Sequence, residues 1–141
     1  MQTAGNLLHY PPKILIAFGE AVDENIQFLY WLMQNGYPEL AALANAIHAN
    51  KEAFQWLMKH QFPHLGAMSQ AVYDDEKAYH WLKKNQFDLL VRIVDASRGE
   101  ESAIEWFVDH DLEIFVVLAK KIDACRIRKL NDLSDYHKLH F

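Results

Sequence analysis

Apolar residues recur along this chain at i, i+3 and i+7, which is the stripe of an amphipathic helix. The stripe reads Leu15, Phe18 and Val22, then Leu40, Leu43 and Ile47, then Leu65, Met68 and Val72, then Leu90, Ile93 and Ser97, then Phe115, Leu118 and Ile122. Between successive stripes lies a second helical segment that carries a tryptophan. Its copies read Phe28, Trp31 and Leu32, then Ala53, Trp56 and Leu57, then Ala78, Trp81 and Leu82, then Ala103, Trp106 and Phe107. Tyr37, Phe62, Phe87 and Leu112 follow the tryptophans at a common distance. Both patterns have the same period of 25 residues, and self-similarity at a fixed period marks stacked supersecondary units.

Each period therefore predicts two short helices. The tryptophan helices are expected near 25–35, 50–60, 75–85 and 100–110, and the helices of the apolar stripe near 12–22, 38–48, 63–73, 88–98 and 113–123. Two helices of ~10 residues and two turns of ~2–4 fill the period, each helix being ~15 Å long. The punctuation agrees. Pro38 and Pro63 fall at a first helical turn, where a missing N–H costs nothing. Asp88 and Glu113 take the same place in later copies and suit a helix N-terminus. Asn50 and Asp75 are natural N-caps. Gly36 suits a left-handed C-cap, and Gly99 lies between two helices; Gln61, Gln86 and Asp111 at the address of Gly36 predict either a different turn or strain.

A helical hairpin this short cannot bury its apolar face alone, and stacking supplies the missing wall. The expected fold is all-α: an α-solenoid (αα-superhelix) of stacked helical hairpins, in one domain over 1–141. Its parts are an N-terminal cap at 1–12, with Leu7, Leu8 and Tyr10 as its apolar residues, repeats over 13–124 and a C-terminal cap or tail at 125–141. Asn131 stands where a fifth tryptophan is due, and the segment RIRKLNDLSDYHKLHF is polar with interspersed leucines, as a capping segment should be. Leucine-rich repeats share this range of periods but need strand signals that are missing. The segment AIHANKEAFQWLMKHQFP resembles the helix pair of an ankyrin repeat, over about 20 residues of each unit; the period is shorter than an ankyrin's, and neither its T-P-L-H motif nor room for its β-hairpin finger is present. The resemblance implies a helical-repeat protein of the kind that binds other proteins.

The tryptophans are expected to be core, each burying roughly 150–250 Å², so that Trp56→Ala or Trp81→Ala costs ~3–5 kcal/mol. The other reading is an aromatic ladder on which a ligand stacks. Columns that vary between the copies are expected to face solvent, and there a partner is to be sought. On the tryptophan helices these are Tyr30, Gln55, His80 and Glu105, and one turn on Gln34, Lys59, Lys84 and Asp109. On the other helices they are Asn45, Gln70, Asp95 and Lys120, and then His48, Tyr73, Arg98 and Asp123. A basic rung of Lys77, His80, Lys83 and Lys84 precedes an acidic one of Glu100, Glu101, Glu105 and Asp109, a pattern that fits either partner reading or pairing between rungs.

Composition narrows the field. Of 141 residues, 51% are apolar and 23% charged, too apolar for a disordered chain. One cysteine, Cys125, cannot form an internal disulfide. The start MQTAGNLLHYPPK lacks the pattern of a secretory signal, and no run approaches the ~20 apolar residues of a membrane span, so a cytoplasmic chain is expected. The net charge of −5 gives no general footprint for nucleic acid. The one basic cluster, Lys120, Lys121, Arg126, Arg128 and Lys129, supports the alternative of nucleic-acid binding. Arg126, Arg128 and Lys129 are also near enough in sequence to Cys125 to lower its pKa, but the expected reading of Cys125 is a plain exposed or half-buried thiol. His60 and His64, and His137 and His140, lack further ligands at zinc spacing, and no nucleophile, base and orienting group assemble. The expected function is a protein- or peptide-binding scaffold without catalytic activity, metal or cofactor, with self-association open through the exposed end of the stack.

Overall fold

The computed structural model describes residues 7–139, with side chains as far as Leu133. Among these residues the chain is all-helical. The helices are α1 (Pro12–Val22), α2 (Ile26–Gln34), α3 (Pro38–Ile47), α4 (Lys51–Lys59), α5 (Pro63–Ala71), α6 (Glu76–Lys84), α7 (Asp88–Ser97), α8 (Glu101–Asp109) and α9 (Glu113–Leu139). The first eight lie where the pattern puts them. The ninth is a correction: the fifth stripe helix does not stop near 123 but runs on for 27 residues as one helix. Asp123 to Leu133 contain neither glycine nor proline, so nothing local breaks it.

The eight connections are built alike. Glu24, Ala49, Asp74 and Gly99 follow the stripe helices, Gly36, Gln61, Gln86 and Asp111 follow the tryptophan helices, and all have φ between 56° and 91°. Each sits one residue before an amide that donates five positions back around the turn, as in Asn25 to Glu20, Asn50 to Asn45, Tyr37 to Leu32 and Phe62 to Leu57. This is the Schellman arrangement, which satisfies the last carbonyls of a helix. Gln61, Gln86 and Asp111 thus leave the turn unchanged and take the strain instead. Starts are equally regular. Pro12, Pro38 and Pro63 open α1, α3 and α5, and Asn50 and Asp75 accept the amides of Ala53 and Ala78 at 2.9 and 3.0 Å.

The odd-numbered helices form the inner layer. They bury residues on two sides, as α3 does with Leu40, Ala41, Leu43, Ala44, Ala46 and Ile47, whereas the even helices bury one or two residues each: Leu32, Leu57, Ala78 with Leu82, and Ala103 with Phe107. Each odd helix packs on the next, and α9 packs back on α1 and touches α3. No two even helices pack extensively on one another, so clefts run between them. The sequence leaves α1 with a free face; the structure covers it with α9. A Cβ on Gly19 would lie 2.9 Å from Leu118 of α9, so the two helices approach too closely for a larger residue. Lys121 reaches both Glu20 (3.4 Å) and Asp23, and Arg128 and Lys129 both reach Glu24. At the same end Leu7 and Tyr10 are buried while Leu8 is exposed, and the Tyr10 hydroxyl donates to Glu39. The rest of the expected N-terminal cap, residues 1–6, lies outside the described residues, as do residues 140–141.

None of the tryptophans is among the buried core residues, which corrects the expectation; Trp56 and Trp106 pack against the core from outside it. Trp31 and Trp81 are 40% and 38% exposed, Trp56 and Trp106 are half-buried, and the neighbours Leu32, Leu57, Leu82 and Phe107 are 0% exposed. Successive helix positions differ by 100°, so only one of two adjacent residues can face the inner layer. A second column moves inward. His48 Nε2 meets the Val22 carbonyl at 2.8 Å, the Tyr73 hydroxyl donates to Ile47 at 2.6 Å, and Arg98 Nη2 donates to Ala71 at 2.9 Å. These residues tie one hairpin to the C-terminal carbonyls of the preceding one, where a cation or donor is favoured, rather than facing a partner.

Candidate functional site

The outer surfaces of α2, α4, α6 and α8 carry both columns singled out on the tryptophan helices. Tyr30, Gln55, His80 and Glu105 are exposed, as are Gln34, Lys59, Lys84 and Asp109. Among the described residues no ion pair joins α6 to α8; His80 instead lies 3.9 Å from Glu76 on its own helix. The basic and acidic rungs are thus left open to solvent. Exposed apolar side chains stand among them: Ile26, Tyr30, Trp31, Met33, Met58, Trp81 and Val108 are all on the even helices.

Two clefts of the same build lie between these helices. One, of about 330 Å³, has Met33 on one wall and Trp56 on the other, with Pro38, Ala41 and Ala42 between them. The next, of about 370 Å³, has Met58, Pro63, Ala67 and Trp81 at the corresponding places. Every one of these residues is 25 positions from its counterpart. Polar groups differ at the mouths: Asn45, Asn50 and Glu52 at the first, Gln70, Asp75 and Lys77 at the second. In the third unit Arg92 replaces Ala42 and Ala67, and its guanidinium lies over the Trp106 ring at 4.1 Å. The sequence reading missed the clefts because it assigned the tryptophans to the core; the available signal was the column Ala17, Ala42, Ala67, Arg92, in which small residues leave room beside an aromatic one.

Each tryptophan is held from behind by the residue one turn on. Asn35 and Asn85 donate to the carbonyls of Trp31 and Trp81 at 2.8 Å, and His60 and His110 meet those of Trp56 and Trp106 at 2.9 and 2.7 Å. The two imidazoles also stack on their indoles, at 4.1 and 3.9 Å. His60 is therefore used locally, and His64 stacks on Phe87 at 5.0 Å with burial pulling its pKa down. Among the described residues no three His, Cys, Asp or Glu side chains converge as metal ligands; the His137 side chain and His140 lie outside them. Tyr79 donates to Asp95 at 2.7 Å, and burial followed by that bond pushes its pKa up to about 12.

The basic cluster is spread over α9. Lys120 is exposed, but Lys121, Arg128 and Lys129 face the acids of α1 and its turn, and Arg126 pairs with Asp123 at 2.8 Å. Cys125 is buried, with its sulfur 3.7 Å from the Ile47 carbonyl. Its pKa is raised, because burial outweighs Arg128 and Lys129, so it is an unactivated thiol, more deeply buried than expected. No helix of the described residues is long and apolar enough to cross a membrane. No protein-family model matches the chain, and no curated protein or solved structure matches it.

Proposed function

We propose that this chain is a binding module without catalytic activity: a solenoid-like stack of 25-residue helical hairpins, closed by its last helix, that holds a protein or peptide in the clefts between its outer helices. The observation that carries this reading is the pair of equivalent clefts, each walled by a tryptophan that is not fully buried and an exposed methionine. Exposed aromatic and methionine side chains are enriched where proteins meet, and Met adapts to irregular partners. The columns with Tyr30, Gln55, His80 and Glu105 are exposed on the same outer helices and would set specificity. The alternative of nucleic-acid binding loses its support, since most of the basic cluster is already matched to carboxylates.

The test is affinity capture from the native cell with mass spectrometry, comparing wild type with Met33→Lys and Met58→Lys. Both side chains are about half exposed, 52% and 47%, so the fold should survive. A partner held by wild type and lost by both variants supports the reading. A partner retained by both, or lost equally on changing exposed Lys120, overturns it.

A further inference from the structure

We propose that the cleft at Trp56 is a receptor for an arginine side chain of the partner. This deepens the binding-module reading and rests on it. The argument comes from the repeat. Trp106 has His110 stacked on it at 3.9 Å and the Arg92 guanidinium over it at 4.1 Å. Two groups that close to one ring would overlap on a single face, so they occupy opposite faces and the indole is sandwiched.

Trp56 repeats half of that sandwich. His60 stacks on it at 4.1 Å, in the place of His110. On the cleft side Ala42 stands where Arg92 stands, and the space that an arginine fills in the third unit is open. The chain thus contains its own example of what the cleft accepts. A guanidinium is planar and weakly hydrated, so it stacks on an indole better than an ammonium does. The surroundings fit the remainder of the side chain: Met33, Pro38 and Ala41 offer apolar surface for the three methylenes. Glu52 in the cleft lining supplies the opposite charge, and Asn45 adds a polar side chain to the same lining. The chain as a whole carries −5. The sister cleft at Trp81 is less suited, because Asn85 replaces the stacked histidine and Lys77 would repel the cation.

The four indoles, one per unit, give a direct readout. The ¹⁵N-labelled protein is titrated with a glycine–serine peptide carrying one arginine, and in parallel with the lysine version. The Trp56 indole N–H signal should move saturably, with arginine at least ~3-fold tighter than lysine. Glu52→Gln, an exposed change, should weaken binding ~2–5-fold. In Ala42→Arg, with helicity and melting checked against wild type, the built-in side chain should remove the response of Trp56. In Arg92→Ala the Trp106 signal should begin to respond. A Trp56 signal that does not saturate, that lysine moves equally well, or that still responds in a folded Ala42→Arg protein overturns the assignment. Failure with the arginine probe while Met33→Lys still abolishes partner capture removes the arginine assignment alone; the module reading falls if capture is insensitive to both methionines or is lost equally on changing Lys120.

Discussion

A difference of one position separates the residues that hold this molecule together from those that present it. Leu57 and Trp56 recur with the same period and are both apolar, yet Leu57 is 0% exposed and Trp56 is half-buried. The periodicity shows that the two columns are constrained without showing which faces inward. Size misleads here, because a tryptophan is seldom wholly buried even when it is an anchor. The shorter leucine fits the narrow space above the inner helices, and the indole lies along the boundary with its carbonyl secured by the next turn. The energetics follow the burial. Leu57→Ala removes a fully enclosed side chain and is expected to cost about 3–5 kcal/mol, cavity included. Trp81→Ala, 38% exposed, leaves no closed cavity and is expected to cost about 1–2 kcal/mol. Urea denaturation of the two variants checks the order. If Trp81→Ala proved the more damaging, the tryptophans would be core after all and the clefts would lose their meaning.

At the level of helices and turns the sequence was most legible. Prolines at helix starts, Asn50 and Asp75 as caps and the apolar stripe locate the first eight helices closely, because each signal is local and the repeat states it several times. The turns were only half legible. Gly36 and Gly99 announce a left-handed residue, but Glu24, Ala49, Asp74, Gln61, Gln86 and Asp111 adopt the same conformation without announcing it. Stacking imposes the turn on them, since any other exit from the helix would misplace the next one. Ala49 is the plainest case: its φ is 67°, it is exposed, and its short side chain has no hydrogen-bonding group to compensate. Ala49→Gly relieves a left-handed strain of about 1–2 kcal/mol against the added flexibility of glycine in the unfolded chain. It should therefore stabilise the protein by about 0.5–1 kcal/mol. Ala44→Gly, within α3, should destabilise it by about 1 kcal/mol or more. Thermal melts of the pair test the argument; destabilisation by both would mean that the turn at Ala49 is not strained.

The closure of the inner layer lies at the scale where the sequence is least informative. Nothing local in α1 or α9 says that residues some 100 positions apart will meet, as Lys121 and Glu20 do. The chemistry was nonetheless present in separate places: Glu20, Asp23 and Glu24 near the start, and Lys121, Arg128 and Lys129 near the end. Read alone, the second set looked like a surface for phosphate; read with the first, it is one side of an intramolecular seam. Gly19 and Leu118 set the distance between the helices, and the ion pairs fix how α9 lies along α1. The seam makes a prediction with a definite sign. Hydrogen bonding to Asp23 holds the Lys121 ammonium above the ordinary lysine range, more than burial lowers it. A cation whose pKa is raised by folding stabilises the native state fully below the unfolded value, near 10.4, and loses that effect as pH climbs through the folded value. Lys121→Met should therefore lower the melting temperature by roughly 3–5 °C at neutral pH, equivalent to about 1 kcal/mol. The difference between the two proteins should shrink once the pH exceeds about 10.4, and comparing them cancels whatever the two have in common. Raising the salt concentration at neutral pH should narrow it too, since the pairs are partly exposed. A gap that stayed constant through both titrations would mean that Lys121 acts by packing its methylenes on Gly19, and that the charges of the seam contribute nothing to closing the molecule.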